Sequence, residues 1–309
     1  MRTLSLFAGA GGLDMGFKNA GFDIVWANDI NKDACETHKR WSDAVIVNED
    51  IKNISINSIP DVEVILGGFP CQGFSLAGPR KVDDSRNSLY RFYVDAVNEK
   101  RPEIFVAENV KGILTLGGGE IIKKIRRDFE RAGIGYNVSV HTLNASEYGV
   151  AQDRIRVFIV GISKNLKKKN PFIIDEGLKE KVILKDILDK SSKFEEKDLC
   201  IAPYSSRFMS RNRKRGWNEF SYTIPAMAKQ VTLHPSSPDM IQIGKDEWIF
   251  GEGITRRYTW REVSLIQSFP EELDFYGDLV SKYRQIGNAV PVKMAEKIGS
   301  MIYKYVTTK

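Results

Sequence analysis

Short apolar runs alternate with helix-forming segments along residues 1–162. Runs such as 62–68 and 104–107 have the length and composition of buried strands. Strands that alternate with helices predict a parallel sheet with helices on both faces. The chain is therefore predicted to be an α/β protein, and the ligands of such proteins bind beyond the carboxyl ends of the strands.

The first strand-like run enters a glycine turn at Gly9, Gly11 and Gly12 and continues into a helix. Glycines at this junction let a ligand approach the backbone and leave helix amides free to meet negative charge. Asp29 follows the second strand-like run, and Asp50 follows the third. Together these elements predict a nucleoside site, although each one alone is more often a simple turn or a surface acid.

Two reactive side chains are predicted to follow the next two strands. Cys71 stands in Phe-Pro-Cys-Gln at 69–72, just after the run 62–68. A partly exposed thiol there can act as a nucleophile, although a lone cysteine is more often a small buried residue. Glu108 ends the run 104–107, where its surroundings can keep it protonated as a proton donor.

Two arginines, Arg154 and Arg156, precede a further strand at 157–161. Because side chains alternate along an extended segment, both guanidinium groups are expected to face one side. Near the C-terminus, residues 285–292 lead into a helix that is predicted to run to about Tyr305.

These blocks resemble those of the cytosine-C5 DNA methyltransferases over nearly the whole chain. They are Phe-x-Gly-x-Gly-Gly at 7–12, Pro-Cys at 70–71, Glu-Asn-Val at 108–110, Gln-x-Arg-x-Arg at 152–156, Arg-Glu at 261–262 and Gly-Asn-Ala-Val-Pro at 287–291. Each block is a weak signal by itself, whereas six in the family's order make a strong one. Phe69 replaces the usual first proline of the family, but Pro70 still precedes the thiol.

The resemblance implies a Rossmann-like S-adenosylmethionine-dependent methyltransferase fold with a smaller, mostly irregular or β target-recognition domain. Residues 1–162, completed by 287–309, are expected to form the catalytic and cofactor-binding domain. Residues 163–286 are expected to form the target-recognition domain. The strand–helix alternation does stop at Ser163, where a charged linker begins and runs to Pro171.

The implied activity is that of a sequence-specific DNA (cytosine-5-)-methyltransferase. Cys71 adds to C6 of cytosine, Glu108 donates to or hydrogen-bonds N3, and C5 attacks the methyl group of S-adenosyl-L-methionine. Loss of the C5 proton and of Cys71 then releases 5-methylcytosine and S-adenosyl-L-homocysteine. By analogy Arg156 holds the cytosine O2, and Arg154 supports this pocket or contacts phosphate. The base must be flipped out of the duplex, at a cost of about a few kcal/mol.

The resemblance also assigns a cofactor pocket. Phe7 stacks on adenine or lines its pocket, Gly9 and Gly11 approach the methionine moiety, and Asp29 bonds the ribose. The full predicted cofactor set is Phe7, Gly9, Gly11, Gly12, Leu13, Asp29, Ile30, Asp50, Ile51, Pro70, Asn288 and Val290. Asn288 and Val290 are expected to close this pocket from the C-terminal segment.

The stretch 207–217 contains five basic residues and no acid, which is typical of a solvated face or of a DNA contact. The resemblance favours DNA, because the stretch and Leu-His-Pro at 233–235 look similar to the recognition region of methyltransferases that act on GGCC. The predicted DNA-binding residues are Ser75, Arg211, Arg213, Arg215 and Lys229. Ser75 lies in a glycine-flanked lid, and Lys229 stands where another arginine was expected. The predicted target is GGCC, methylated on the inner cytosine.

Composition agrees with this interpretation without proving it. The 309 residues carry 46 Lys+Arg against 40 Asp+Glu, and a net charge of +6 permits nucleic-acid binding. No signal-peptide core and no stretch of membrane-spanning length are present in the sequence. Three cysteines and three histidines without zinc-ligand spacing predict reduced thiols and no metal. We therefore expect a bacterial, cytoplasmic monomer that acts on double-stranded DNA, makes no membrane contact and needs no physical contact with its restriction endonuclease.

Other functions stay open at this point. A tRNA cytosine-C5 methyltransferase would share the catalytic blocks, but the long Arg-rich region after residue 163 argues against it. A nicotinamide-dependent oxidoreductase would not need the Pro-Cys, Glu-Asn-Val and Gln-x-Arg-x-Arg blocks together. A catalytically silent DNA-binding relative should have lost one of them.

Overall fold

The computed structural model describes residues 1–70, 87–168, 171–174, 181–188 and 195–308. The chain divides into two compact units. The first unit contains Met1–Asn144, Ile155–Glu176 and Met294–Lys309, and the second contains Ala145–Arg154 and Gly177–Lys293. No helix among the described residues is both long and apolar enough to cross a membrane.

The first unit is built on a seven-stranded sheet with the order β3-β2-β1-β4-β5-β7-β6. The strands are β1 (Arg2–Leu6), β2 (Asp23–Asp29), β3 (Val45–Asn48), β4 (Val64–Gly67), β5 (Ile104–Val110), β6 (Tyr136–Asn144) and β7 (Ile155–Ser163). The first five strands are parallel, and β7 pairs antiparallel to both β5 and β6. The predicted α/β class with a mainly parallel sheet is confirmed.

Among the described residues, the α-helices that belong wholly or mainly to the first unit are α1 (Gly12–Asn19), α2 (Lys32–Lys39), α3 (Asn87–Lys100), α4 (Glu120–Arg131) and α9 (Val292–Thr307). Aromatic rings join α3 and α4 to the sheet, because Phe105 of β5 stacks on Phe129 at 4.4 Å between ring centroids. Tyr93 also reaches the sheet and donates its hydroxyl towards the carbonyls of Ile65 and Val106. These contacts bury the apolar residues that the strand pattern predicts.

The second unit contains little regular structure among its described residues. It has one two-stranded sheet, β8 (Met240–Gly244) with β9 (Glu247–Phe250). Its helices are α5 (Leu184–Leu188), α6 (Ser206–Met209), α7 (Trp260–Ile266) and α8 (Leu279–Asn288). Helix α7 begins with a capping box between Thr259 and Glu262, and Glu262 is also held by the Arg256 guanidinium.

The compact units have different boundaries from the predicted domains. Residues 145–154 and 287–293 group with the second unit, not with the first. Hydrogen bonds explain the grouping, because Gln152 binds the side chain of Gln267 and the backbone amide of Ile224. A short segment that separates two strands in the sequence is thus folded into the second unit.

Gly161 offers a test of the packing between β5 and β7. A Cβ atom built at this position would lie 1.9 Å from Cε1 of Phe105, whose ring is held by Phe129. We expect Gly161→Ala to lower the free energy of unfolding by about 1–3 kcal/mol, because overpacking a closed core forces side chains off their rotamers. Urea denaturation followed by circular dichroism measures the change.

Gly112→Ala is the matched control, since a Cβ there meets nothing within 4 Å. Its free energy of unfolding should stay the same or rise slightly, because alanine restricts the unfolded chain more than glycine does. Equal losses in the two variants would contradict the packing that we describe.

Candidate active site

The glycine turn after β1 has a strained backbone, and two of its glycines have different surroundings. Phe7 has a φ of 56°, which is unusual for a bulky residue. Gly9 has a φ of 57°, and a Cβ built on it would enter open space. Gly11 has a φ of 84°, and its Cβ would lie 2.2 Å from Cζ2 of Trp41. The turn is therefore open to a ligand at Gly9 and packed against protein at Gly11.

Asp29, at the end of β2, is bound to this turn. Its Oδ2 accepts a hydrogen bond from the Gly9 amide at 2.8 Å, and its Oδ1 accepts one from the Asn31 amide at 2.8 Å. Burial raises the pKa of Asp29, and these amides oppose the shift. The predicted ribose contact stays a prediction. The carboxylate does bind the Gly9 amide, a structural contact that the sequence did not suggest.

The other predicted cofactor residues of the first unit differ in exposure. Ile30 is 69% exposed, Asp50 is half-buried and accepts from the Lys52 amide, and Ile51 is buried. Gly12 and Leu13 are buried in the first turn of α1, while Pro70 is exposed. Asn288 and Val290 belong to the second unit, so their predicted part in the pocket stays a prediction.

Glu108 and Arg156 form an ion pair at the carboxyl end of β5. Glu108 Oε1 lies 2.9 Å from Nε of Arg156, and each side chain is only 13% exposed. The pairing follows from the register, because Glu108 is opposite Phe158 and Val110 is opposite Arg156. Burial lowers the pKa of the Arg156 guanidinium, and the Glu108 carboxylate opposes this. A base that entered here would meet an acid and a guanidinium side by side.

Asn109 holds the backbone at Phe69, two residues before the predicted nucleophile, a contact that the sequence analysis did not foresee. Its Nδ2 donates to the Phe69 carbonyl at 2.9 Å, and its side chain is almost fully buried. Gly68 lies close to Glu108, since a Cβ there would lie 3.1 Å from Glu108 Oε2. Two sequence features could have indicated these contacts: the Asn in Glu-Asn-Val and the second Gly of the run before Phe69.

The predicted nucleophile Cys71 and the predicted lid residue Ser75 lie outside the described residues. The two described cysteines, Cys35 and Cys200, are free and buried. Burial raises the pKa of the Cys35 thiol to about 11, which disfavours its thiolate. The role of Cys71 as the nucleophile stays a prediction.

Arg154 and Arg156, which are predicted to face one side, have different partners. Arg154 immediately precedes strand β7, which begins at Ile155. The Arg154 side chain is 1% exposed, and its guanidinium donates to the carbonyls of Ile224, Gly287 and Ala289 within the second unit. These hydrogen bonds hold backbone segments of the second unit together, and the catalytic part expected of Arg154 stays a prediction.

The basic stretch 207–217 is less uniformly available than its sequence suggests. Arg215 pairs with Glu219 at 2.9 Å and lies over the Tyr222 ring, while its DNA contact stays a prediction. Arg213 is half-buried and donates to the carbonyls of Arg207 and Phe208. Arg211 and Lys229 are exposed. Acids outside this segment thus neutralise part of a stretch that contains none.

A buried acid and histidine lie behind the glycine turn. Ser5 Oγ donates to Asp14 Oδ1 at 2.6 Å, and Asp14 Oδ2 lies 3.5 Å from His38 Nε2. Burial raises the pKa of Asp14 to about 7, an effect that the Ser5 hydroxyl opposes. Burial also lowers the pKa of His38 to about 4. Between these two pKa values the folded pair is therefore neutral, with its proton on Asp14.

This shift predicts a pH-dependent effect of Asp14→Asn on stability. Between pH 3.8 and about 7 the folded protein keeps a proton on Asp14 that the unfolded chain has released, so Asp14 costs stability as the pH rises. We expect the variant to gain stability relative to the original protein across this range, by up to about 1.4 kcal/mol per pH unit. Urea unfolding at a series of pH values measures it, and a constant difference would contradict the shift.

Comparison with known proteins identifies the family. The family model described as C-5 cytosine-specific DNA methylase matches residues 1–304. Type II methyltransferase M.FnuDI of Fusobacterium nucleatum is 41% identical over 334 residues, which cover 100% of this chain and 96% of the relative. Type II methyltransferase M.BspRI of Lysinibacillus sphaericus is 40% identical, over 98% of this chain and 81% of the relative.

A solved structure supports the fold alone. A variant of Spodoptera frugiperda DNMT2 matches with a TM-score of 0.73 at 19% identity, over 98% of this chain and 99% of that chain. Three findings agree with one another. They are the order of strands in the first unit, the pairing of Glu108 with Arg156 and the family match over residues 1–304. The chain belongs to the C-5 cytosine-specific DNA methylase family.

Proposed function

We propose that this protein methylates C5 of a cytosine flipped out of duplex DNA, as the modification enzyme of a bacterial restriction–modification pair. The observation that carries the proposal is the buried pair of Glu108 and Arg156, next to the loop that Asn109 holds ahead of Pro70. An acid and a guanidinium at one strand end suit the N3 and O2 atoms on the edge of cytosine.

The proposed reaction begins at the loop after β4. The Cys71 thiolate adds to C6 of the base, which makes C5 nucleophilic. Glu108 donates to or hydrogen-bonds N3 and so stabilises the negative charge that develops on the ring. Arg156 uses Nε on Glu108 and Nη1 on the Ile155 carbonyl, and its rigid fork also serves O2 of the base. C5 then takes up a methyl group, and loss of the C5 proton to water with elimination of the Cys71 thiolate completes the reaction.

The glycine turn fits S-adenosyl-L-methionine, which supplies the methyl group when bound and becomes S-adenosyl-L-homocysteine. Open space at Gly9 lets the methionine moiety approach the backbone. Exposed Ile30 offers an apolar surface next to Asp29, which bonds the ribose. Phe7, Asp50 and Ile51 bind the adenine, and Asn288 and Val290 contribute from the second unit.

The proposed target is GGCC, methylated on the inner cytosine. Arg211 and Lys229 are exposed cations in the second unit, and Arg213 is held by two backbone carbonyls. A guanidinium can bind O6 and N7 of guanine together, which suits a site with two guanines on each strand. We further propose a monomer that works without a metal in the cytoplasm and pairs with its endonuclease in function alone.

The experiment that tests this function uses labelled S-adenosyl-L-methionine with duplex DNA and, separately, with tRNA. We expect label in DNA, and we expect a covalent adduct with duplex that carries 5-fluorocytosine, because fluorine cannot leave C5 as the proton does. Cys71→Ala should abolish both results while S-adenosyl-L-methionine still binds. Glu108→Gln should slow adduct formation by about 10²–10³-fold, because it cannot donate a proton to N3.

Label in tRNA but not in DNA would favour the tRNA methyltransferase alternative. An adduct that forms with Cys71→Ala would overturn the assignment of the nucleophile. Binding of S-adenosyl-L-methionine with no product on either nucleic acid would favour a silent relative.

The base-reading proposal predicts a difference between Arg211→Ala and Arg215→Ala. Removing an arginine that binds a base edge should cost about 1–3 kcal/mol at one base pair and relax specificity there. Arg215→Ala is the matched control, because its guanidinium serves Glu219 and Tyr222. Bisulfite sequencing of DNA that each variant has methylated measures specificity. Methylation centred on a sequence other than GGCC, or relaxed by Arg215→Ala alone, would contradict the proposal.

A further inference from the structure

Side chains form hydrogen bonds with the glycine turn at two successive residues, Gly9 and Ala10. The Gly9 amide donates to Asp29 Oδ2 at 2.8 Å, and the Ala10 carbonyl accepts from Trp41 Nε1 at 3.1 Å. Asp29 ends β2, whereas Trp41 follows the end of α2. The backbone at these two residues is therefore fixed by an acceptor from the sheet and a donor from beyond the helix.

The Trp41 ring is itself held in place. It stacks on His38, with 4.6 Å between the ring centroids and an interplanar angle of 11°. His38 lies 3.5 Å from the Asp14 carboxylate, and both side chains are fully buried. Lys18 on α1 lies 5.8 Å from the centroid of the Trp41 ring. A chain of contacts thus joins α1 and α2 beneath the turn.

The fit between turn and ring leaves no spare room. A Cβ at Gly11 would lie 2.2 Å from Trp41 Cζ2 and 2.9 Å from His38 Cε1. The same turn is open at Gly9, so the turn has a ligand side and a ring side. A hydrogen bond to Ala10 and direct packing on Gly11 together fix the position of the backbone that a ligand would contact.

We propose that Trp41, stacked on His38, is a positioning residue for S-adenosyl-L-methionine, because it holds the turn in its binding conformation through Ala10 and Gly11. This inference rests on the proposed role of the glycine turn as the cofactor site. Trp41 touches the turn from the ring side and not the ligand, so its effect on catalysis passes through cofactor affinity. DNA affinity and the chemical step at saturating cofactor do not depend on it.

The test uses Trp41→Phe, which keeps an aromatic ring against His38 and removes the donor to Ala10. We expect the Kd for S-adenosyl-L-methionine, measured by calorimetry, to rise about fivefold, the effect of one hydrogen bond. The KM for the cofactor should rise in parallel, while kcat at saturation and the KM for DNA stay unchanged. Hydrogen exchange should speed up at the Gly11 amide, which donates to the Ala8 carbonyl in the free protein.

Trp248→Phe, the same substitution on β9 of the second unit, is the matched control and should leave the cofactor Kd unchanged. A cycle with Gly11→Ala provides a second measurement. Gly11→Ala should weaken cofactor binding less when it is combined with Trp41→Phe, because phenylalanine has no atom at the Cζ2 position that the new Cβ meets.

The outcomes separate the inference from the proposed function. If the original protein does not bind S-adenosyl-L-methionine, the proposed cofactor site is wrong. If it binds and Trp41→Phe binds equally well with unchanged exchange at Gly11, the positioning role is wrong. Strictly additive effects of Gly11→Ala and Trp41→Phe, or a loss of kcat at saturating cofactor, would also overturn it.

Discussion

The hydrogen bond from Asn109 Nδ2 to the Phe69 carbonyl ties together the two strand ends on which the proposed chemistry depends. Strands β4 and β5 are parallel neighbours with Gly67 opposite Ala107, so the residues that follow them leave the sheet side by side. The Asn109 side chain is buried, where an unmade hydrogen bond is costly. One amide group therefore sets the distance between the segment that leads to Pro70 and the acid Glu108.

The second element of the site, Arg156, comes from a strand of opposite direction. Strand β7 runs antiparallel to β5, so its beginning lies beside the end of β5 and brings Arg156 to Glu108. Burying this ion pair costs desolvation free energy that its Coulomb attraction offsets only with good geometry. A pair of this kind is weak as a stabiliser of the fold. In the proposed reaction this pair presents an ordered acid and an ordered cation to the polar edge of the base.

The sequence predicted most strands of the sheet. Strands β1, β2, β4, β5 and β7 are largely buried and lie where apolar runs indicated them, because buried strands need continuous apolar residues. Strand β3 was also predicted from its apolar run, although its side chains are exposed or half-buried. Strand β6 was not predicted, since its sequence YNVSVHTLN is polar at alternate positions and its side chains are only partly buried. Helix α8 was also missed: it ends at Asn288, within the Gly-Asn-Ala-Val-Pro block, which was predicted only to lead into the helix that follows.

Site residues divide in the same way. Motifs located Glu108 and Arg156, whose positions follow from strand register, but they could not show which partner each charged group takes. Arg154 and Arg215 illustrate this limit, because carbonyls far away in the sequence and an acid outside the basic stretch occupy their guanidinium groups. A count of basic residues measures charge, whereas a DNA contact requires a cation whose hydrogen-bond donors still face solvent. Exposed Arg211 meets that requirement better than Arg213 and Arg215 do.

The same reasoning explains why the glycine turn needs support from outside its own motif. Positive φ has no steric cost at Gly9 and Gly11, but it is a costly conformation at Phe7, and such conformations persist only where the surroundings determine them. Asp29 and Trp41 supply that determination at Gly9 and Ala10. Glycine allows the turn to form, but without further contacts the turn would be mobile. Cofactor binding would then lose free energy to the ordering of the turn. The acid and the indole order it in advance, so that binding begins from a backbone already in place.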